Sequence, residues 1–448
     1  MKKSDVGTPL PKAKKALPKA KKTSPPLHKL PGKPINFMDH GGNIINHLLD
    51  TDNKVCRLIG ADIKLEQELG KGTFGTVFQI DMNDGNGDKK FVVKKNSVDT
   101  QLVIIKKSAG QTFLNIVTKY KGDVKGILKY NGYNSDDIAA VGDKIVIPNF
   151  LKEPPCSTQM EYKRTDLKGV TIVPKGSLIC VNALTEFIIG LIAGTLYQKG
   201  ISINFIDIFY FATCKSNAET NQYTFMEKIT TSLFKSKIQD HTIINNIYIQ
   251  TIHAIGVYQK YLNLVHGDLH LDNVFISEIT KDTKWGGKTL KAKDYYEYKI
   301  GKNSLYIDAA NTPYLSKIGD FGLSVIYQKD KIIGDQRTLE DGYNGWLVNF
   351  YNQAYDVVYF TRSIHYFYPE NEYIKEVLKW MMGIDGDLTD VKFKKEIDKY
   401  FTINNRPKQA SLTTTFAHVT PLTLLTNEKL MEKFKTIPKG NGIILGYL

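Results

Sequence analysis

The sequence predicts an α+β fold in which a small β-rich part precedes a larger, mostly helical part. Residues 63–80 alternate in polarity around a glycine-rich turn, which is typical of two paired strands. Apolar residues recur at helical spacing in residues 182–196 and again in residues 241–261. The chain has 448 residues, 42% of them hydrophobic and 24% charged, so it can form one large globular domain or a few ordinary ones.

The amino-terminal segment differs from the rest of the chain in its charge. Residues 1–34 contain ten lysines and one aspartate, which gives +9 of the net charge of +14 and leaves +5 for the remainder. Residues 1–37 are rich in proline and nearly free of large apolar side chains, so we expect a disordered basic tail. Such a tail has either a non-specific anionic partner or a solubilising role, and no specific nucleic-acid site is evident.

Membrane insertion and export have no signal in the sequence. No apolar run reaches the roughly 18–20 residues of a membrane span, so no transmembrane segment is expected. The apolar stretch that a secretory signal requires is also missing. The four cysteines, Cys56, Cys156, Cys180 and Cys214, lack metal-binding spacing. We therefore expect free thiols in a reducing compartment and a cytoplasmic location.

A glycine-rich turn joins the first two predicted strands. Its glycines allow backbone N–H groups to approach phosphates, and the residues after it favour a hairpin over a helix. The next predicted strand ends on Lys94, and Lys95 is the alternative one position later. Side chains alternate across a strand, so only one of the two lysines can face a cleft. The turn and its flanks comprise Gly70, Lys71, Gly72, Thr73, Phe74, Gly75 and Val77.

Two polar stretches carry the residue types that phosphoryl transfer needs. Asp268 precedes Asn273 by five positions in a polar loop, and Asp320 ends a later apolar strand. The reaction requires a carboxylate that accepts the proton of the attacking hydroxyl, and oxygen ligands that hold Mg²⁺ against the phosphates. Asp268 fits the first task, and Asn273 and Asp320 fit the second. An aspartate alone in a loop would be equally consistent with a structural turn.

The order of these motifs resembles that of protein kinases. The stretch His266-Gly-Asp-Leu-His-Leu-Asp-Asn273 is similar to the kinase catalytic loop, and Asp320-Phe-Gly322 is similar to the metal-binding triplet. The resemblance implies a bilobal protein-kinase-like fold, ATP and Mg²⁺ as cofactors, and protein substrates as partners. It assigns Lys94 to the α- and β-phosphates, Glu186 to that lysine, Met226 to the gatekeeper position, and the backbone from Glu227 to Ile229 to the adenine edge.

The resemblance divides the chain after the tail into an amino-terminal lobe, residues 38–230, and a carboxy-terminal lobe, residues 231–448. No glutamate lies between Lys95 and Lys152, so an insertion at about 97–180 precedes the helix that carries Glu186. Glu186 could instead only favour the start of that helix through the helix dipole. The insertion is expected to contain strands at residues 144–148 and 169–173. A second insertion, at about 278–316, contains a polar run at residues 281–302 that we expect to be exposed.

Several positions depart from the kinase pattern. Gly267 replaces an arginine that pairs with activation-segment phosphates, which predicts activity independent of phosphorylation at Ser324, Tyr327 or Thr338. His270 replaces a lysine and is expected to be mostly neutral at neutral pH. The usual Ala-Pro-Glu triplet is missing after Gly322. Asp356 is expected to brace the catalytic loop from the start of a later helix.

The insertions and the His-Gly-Asp-Leu-His form look similar to the divergent serine/threonine kinases of large double-stranded DNA viruses of the poxvirus, iridovirus and giant-virus types. This implies a protein kinase that acts in the host cytoplasm or in the virion. The same loop resembles small-molecule phosphotransferases of the aminoglycoside and choline kinase type, which is one alternative. A pseudokinase scaffold is the other, although Lys94, Asp268, Asn273 and Asp320 are all intact.

Overall fold

A computed structural model gives a mixed α+β architecture with a β-rich amino-terminal region and a helical carboxy-terminal region. The structure describes residues 65, 67–72, 75–83, 88–97, 100–104, 112, 137–138, 144–148, 156–157, 178–180, 182–215, 220–291, 293–328, 331–335, 351–386, 389–402 and 405–448. The predicted tail at 1–37 and the predicted strand at 169–173 lie outside these residues. Among the described helices, none is both long and apolar enough to cross a membrane.

The strands and helices follow one another along the whole described chain. The strands are β1 (Gln67–Gly72), β2 (Gly75–Asn83), β3 (Asp88–Ser97), β4 (Thr100–Ile104), β5 (Lys144–Pro148), β6 (Cys156–Ser157), β7 (Leu178–Cys180), β8 (Ile208–Lys215), β9 (Thr220–Glu227), β10 (Thr231–Ser232), β11 (Leu264–Val265), β12 (Val274–Glu278), β13 (Lys284–Trp285), β14 (Lys288–Thr289), β15 (Tyr295–Ile300), β16 (Asn303–Asp308), β17 (Tyr314–Ile318), β18 (Val325–Gln328), β19 (Lys331–Asp335) and β20 (Gly442–Tyr447). The helices are α1 (Asn182–Gln198), α2 (Leu233–Ser236), α3 (His241–Leu262), α4 (Ala354–Phe367), α5 (Glu372–Met382), α6 (Asp390–Tyr400), α7 (Gln409–Thr413), α8 (Pro421–Leu425) and α9 (Glu428–Lys435).

The β-rich region is built on an antiparallel sheet with the strand order β1-β2-β3-β9-β8. Neighbouring residues of a strand point to opposite faces, so Val92 and Val93 belong to two different clusters of buried side chains. Val92 packs with Phe187 of α1, whose ring stacks on Phe211 with centroids 4.7 Å apart. Helix α1 therefore covers one face of this sheet, and the two strands predicted at 63–80 are confirmed as β1 and β2 for the described residues 67–72 and 75–80.

The helical region is organised around α3, whose buried length confirms the helix predicted at 241–261. Asp240 caps its start by accepting hydrogen bonds from the N–H groups of Thr242 and Ile243. Asn263 ends it in the left-handed conformation, with a φ of 49°. The chain leaves the helix directly into β11, so α3 fixes where the following polar loop begins.

The second insertion is exposed only in part, and the prediction of an exposed run at residues 281–302 is wrong for strand β15. Its strands β15 and β16 form a three-stranded sheet with β20, which pairs parallel to β15 near the end of the chain. Tyr296, Tyr298 and Ile300 alternate along β15 and are buried in the main core. The burial was missed because tyrosines alternating with charged residues form an apolar face without a run of aliphatic side chains.

Cys214 belongs to a disulfide, so the prediction of free thiols is wrong for this residue.

The connection between α1 and β8 bonds to distant segments of the chain. Ile203 N–H donates to Leu445 O, and Ile206 N–H donates to Ile318 O, so β8 begins only at Ile208. These bonds tie the connection between α1 and β8 to the helical region.

The buried histidines make the stability of the fold dependent on pH. Burial lowers the pKa of His253 to about 4, although its Nε2 lies 2.9 Å from Lys299 O, and burial also lowers that of His365 to about 4. The unfolded chain therefore binds more protons as the pH falls below about 6.5, so each histidine should cost about 2 kcal/mol of stability by about pH 5. Urea titrations across this range should show the loss, and His365→Phe should reduce it. A pH-independent midpoint would contradict this.

Candidate active site

Lys94 and Glu186 form a buried ion pair between the sheet and helix α1. Lys94 Nζ lies 2.8 and 2.7 Å from the two carboxylate oxygens of Glu186, and the residues are only 9% and 4% exposed. Burial by itself would lower the pKa of Lys94, but the carboxylates of Asp320 and Glu186 outweigh it and raise that pKa. The structure thus selects Lys94 over Lys95. Glu186 lies beyond the first turn of α1, so it is not merely placed at the helix start.

Asp320 approaches the same lysine from the helical region. Its Oδ2 lies 3.7 Å from Lys94 Nζ, although the two residues are 226 positions apart. The backbone of Asp320 has a φ of 59°, a conformation that is unfavourable for a residue other than glycine. Backbone strain of this kind concentrates at functional sites, where the surrounding structure holds it in place.

A strand pair brings Asn273 beside the Asp320 segment. Strand β12 pairs antiparallel with β17 so that Val274 faces Ile318, and Gly319 N–H donates to Asn273 O at 3.2 Å. The Asn273 side chain donates from Nδ2 to Asp268 O at 2.8 Å. This leaves Oδ1 of Asn273 as the oxygen that could coordinate a cation. The three predicted residues Asp268, Asn273 and Asp320 therefore belong to one connected site.

Asp356 braces the loop that carries Asp268, as the sequence predicted. Its carboxylate accepts hydrogen bonds from His266 N–H at 2.7 Å, Gly267 N–H at 3.0 Å and the Tyr258 hydroxyl at 2.7 Å. Burial raises the pKa of Asp356, and these donors and the nearby His266 offset part of that rise. Gly267 has a φ of 79°, so glycine is suited to this position of the loop.

Both oxygens of the Asp268 carboxylate lie near cationic groups. Arg406 Nη2 donates to Oδ1 at 2.5 Å, and His270 Nε2 lies 3.5 Å from Oδ2. Burial is the largest influence and favours protonation of Asp268, but His270 and Arg406 outweigh it and lower the pKa. Asp268 in turn raises the pKa of His270 against the effect of burial. The charged form of His270 is therefore more favourable than the sequence alone suggested.

Arg406 was missed by sequence reasoning. It lies 138 positions after Asp268, between Asn405 and Pro407 in a loop that follows α6. A single arginine in such a loop has no local pattern that points to a distant carboxylate. The sequence offered one indirect signal for a further cation: the predicted site has more carboxylates than cations, and Gly267 stands in place of an arginine. This signal does not say which residue supplies the cation.

The carboxy-terminal end of β9 carries the residues predicted to contact adenine. Met226 is buried against α1, and its role as a gatekeeper stays a prediction. Glu227 N–H donates to Asp207 O at 2.9 Å, and the Glu227 carboxylate lies 2.7 Å from Lys317 Nζ. A contact from this end of β9 to adenine would therefore use backbone groups other than the Glu227 N–H, such as those of Ile229.

The glycine-rich turn is placed by the pairing of β1 and β2. Gly70 faces Val77, Lys71 faces Thr76, and Gly72 faces Gly75. The side chain of Val77 packs against the cluster that contains Met226 and Phe187, on the face of the sheet that α1 covers. Thr73 and Phe74, the remaining predicted residues of the turn, lie outside the described residues. Contact of this hairpin with nucleotide stays a prediction.

Of the three residues whose phosphorylation is expected to be unnecessary, the structure describes Ser324 and Tyr327. Ser324 is fully buried and its hydroxyl donates to His266 O at 3.0 Å. Tyr327 is half-buried, with its ring 5.3 Å from that of Tyr351. Thr338 lies outside the described residues. Ser324 is therefore a structural contact of the loop that carries Asp268, and activity independent of its phosphorylation stays a prediction.

Within the described part of the chain, no group of three or more His, Cys, Asp or Glu side chains could hold a metal by itself. Asn273 and Asp320 fit Mg²⁺ in a different way, because this ion commonly takes one or two protein oxygens and completes its shell with phosphate oxygens and water. Compared with known proteins, the chain matches no protein-family model, and no curated protein matches it.

Proposed function

We propose that the chain is an ATP-dependent protein kinase that transfers the γ-phosphoryl group to serine or threonine, with a bilobal kinase-like fold. One observation carries the proposal: Lys94 contacts Glu186 on one side and Asp320 on the other. The three residues come from a strand, a helix and a loop that are distant in sequence. A buried lysine between two carboxylates serves little purpose in a fold, since buried ion pairs contribute weakly to net stability. It suits a site that binds phosphates.

Each residue of the site has a defined task in this reaction. Lys94 steadies the α- and β-phosphates, and Glu186 holds the lysine in place. Asn273 and Asp320 would hold Mg²⁺, which when bound neutralises charge on the transferring phosphoryl group. Asp268 orients the substrate hydroxyl and accepts its proton, and the lowered pKa of its carboxylate keeps it ionised for that role.

The proposal extends to domain organisation and cellular setting. It places the amino-terminal lobe at residues 38–230 and the carboxy-terminal lobe at 231–448, after a basic tail at 1–37 with a non-specific anionic partner. It also assigns the chain to the divergent serine/threonine kinases of large DNA viruses, with action in the host cytoplasm or in the virion. The support for this class is the motif pattern of the sequence.

Asp268→Asn tests the proposal directly. The full-length protein is incubated with labelled ATP, Mg²⁺ and a mixture of proteins, and the transfer rate is measured. An amide cannot accept the hydroxyl proton, so transfer should fall about 10³-fold, while ATP binding is kept. Asp282→Asn is the matched control, because Asp282 is exposed on the second insertion, and it should leave the rate unchanged.

The acceptor that becomes labelled separates the alternatives. Label on serine or threonine of proteins, lost in Asp268→Asn, supports the protein kinase. Label only on small metabolites such as choline or an aminoglycoside would replace it with a small-molecule phosphotransferase. Nucleotide binding without any transfer would replace it with a pseudokinase scaffold.

A further inference from the structure

Arg406 reaches from the carboxy-terminal part of the chain to the candidate catalytic carboxylate. Its Nη2 donates to Asp268 Oδ1 at 2.5 Å, and its Nη1 donates to Gly267 O at 3.1 Å and lies 3.2 Å from the Tyr355 hydroxyl. Charge-assisted bonds of this kind are the strongest hydrogen bonds of proteins, and the planar guanidinium fixes their relative directions. Arg406 therefore contacts both the backbone and the side chain of the catalytic loop.

The guanidinium is held in place without any help from Asp268. Its carbon lies 5.2 Å from the centre of the Tyr359 ring, and Tyr355 is on the same helix, α4. The loop that carries Arg406 is closed on itself, since Thr402 N–H donates to Arg406 O at 2.8 Å and Arg406 N–H donates to the Thr402 hydroxyl. With only 14% of its side chain exposed, Arg406 is a fixed point against which Asp268 is oriented.

Helix α4 thereby contacts the backbone on both sides of the Gly267 α-carbon. Asp356 accepts from the N–H of Gly267, and Tyr355, together with Arg406, donates to its carbonyl oxygen. The two peptide groups that flank Gly267 are therefore both held, and the second of them leads directly into Asp268. This arrangement leaves one carboxylate oxygen, Oδ2, away from the guanidinium bond, with His270 Nε2 3.5 Å from it.

We propose that Arg406 is a positioning residue that occupies Oδ1 of Asp268 and so makes Oδ2 the oxygen that receives the substrate proton. The inference rests on the proposed function and adds a residue to it. In the transfer step, the hydroxyl proton passes to Oδ2 while the hydroxyl oxygen bonds to the γ-phosphorus. The bond from that phosphorus to the bridging oxygen breaks, and ADP leaves with the electron pair. Arg406 does not touch the reacting atoms.

Two substitutions of Arg406 test this role in the full-length protein, with dephosphorylated casein and myelin basic protein as acceptors. Arg406→Ala should lower kcat about 100-fold without changing the KM for ATP, because a displaced general base costs rate and not nucleotide affinity. Arg406→Lys should recover only part of that loss, since an ammonium group cannot replace the planar fork. Millimolar guanidinium chloride should restore activity to Arg406→Ala, and not to Asp268→Asn.

Lys408→Ala is the matched control. Lys408 lies in the same loop, but its ammonium group donates to Asp398 O and Lys399 O at the end of α6 and not to the catalytic loop. It should keep the wild-type kcat. Thermal unfolding of each variant shows whether the fold is retained, and Arg406→Lys keeps a cation if the alanine variant does not fold.

The outcomes separate this inference from the proposed function. If the wild type transfers no phosphoryl group, both are overturned. If Asp268→Asn abolishes transfer while folded Arg406 variants retain the full kcat, only the inference is overturned. A rise in the KM for ATP at unchanged kcat, or a loss that guanidinium does not rescue in folded Arg406→Ala, would also overturn it, because either result indicates a general structural role.

Discussion

Replacing Lys94 with methionine is expected to lower phosphoryl transfer by about 10³-fold, because the preorganised cation on the nucleotide phosphates is lost. The change should also destabilise the fold. Methionine has a similar length but no charge, so the carboxylate of Glu186 would remain buried without its partner. Removing one member of a buried ion pair costs about 3–5 kcal/mol. Transfer rates with labelled ATP and urea unfolding measure the two effects separately.

Lys95→Met and the double variant Lys94→Met with Glu186→Leu separate catalysis from stability. Lys95 is the adjacent lysine on the other face of β3, so its replacement should leave transfer intact. The double variant removes both buried charges and should recover most of the lost stability, while transfer stays low. Full transfer by the double variant would contradict a role for this pair in phosphate binding.

The local sequence pattern was sufficient to predict site residues that lie within a single strand or loop. The register of β3 made Lys94 and Lys95 exclusive alternatives, and the spacing from Asp268 to Asn273 placed both in one loop. The Asp320 backbone and the Asn273 loop meet because β12 and β17 pair, and the sequence alone did not predict this pairing. The positions of these residues in strands and loops can be predicted because strands have a recognisable periodicity in the sequence.

Contacts between distant segments were harder to predict. Glu186 could be proposed only from the resemblance to kinases, and its pairing with Lys94 depends on how α1 packs on the sheet. Arg406 and the disulfide at Cys214 have no local signature at all. The buried face of β15 was hidden for another reason, since tyrosine is apolar in its ring and polar at its hydroxyl, and Tyr296 and Tyr298 therefore read as polar sequence.

Replacing Asp356 is expected to give the second large effect. It should lower the stability of the fold, and it should lower activity because the loop that carries Asp268 is held less firmly. The carboxylate accepts three hydrogen bonds, two of them from the buried N–H groups of His266 and Gly267. An asparagine amide presents a donor where one of these N–H groups needs an acceptor, so at least one buried donor stays unsatisfied, at about 1–3 kcal/mol. Leucine removes all three acceptor contacts. We therefore expect Asp356→Leu to unfold at clearly lower urea concentration than Asp356→Asn.

The activity of these variants shows whether Asp356 positions the loop or takes part in the reaction itself. Asp356 contacts the loop backbone and not the carboxylate of Asp268, so folded Asp356→Asn should lose kcat because the peptide group before Gly267 is held less firmly, while the Gly267 carbonyl keeps its donors. Asp390→Asn is the control, since Asp390 also lies in the first turn of a helix but is exposed, and such surface charges contribute little. If Asp356→Asn matched this control in both stability and rate, the loop would be positioned by other contacts, and the Arg406 bonds would remain as the main candidate.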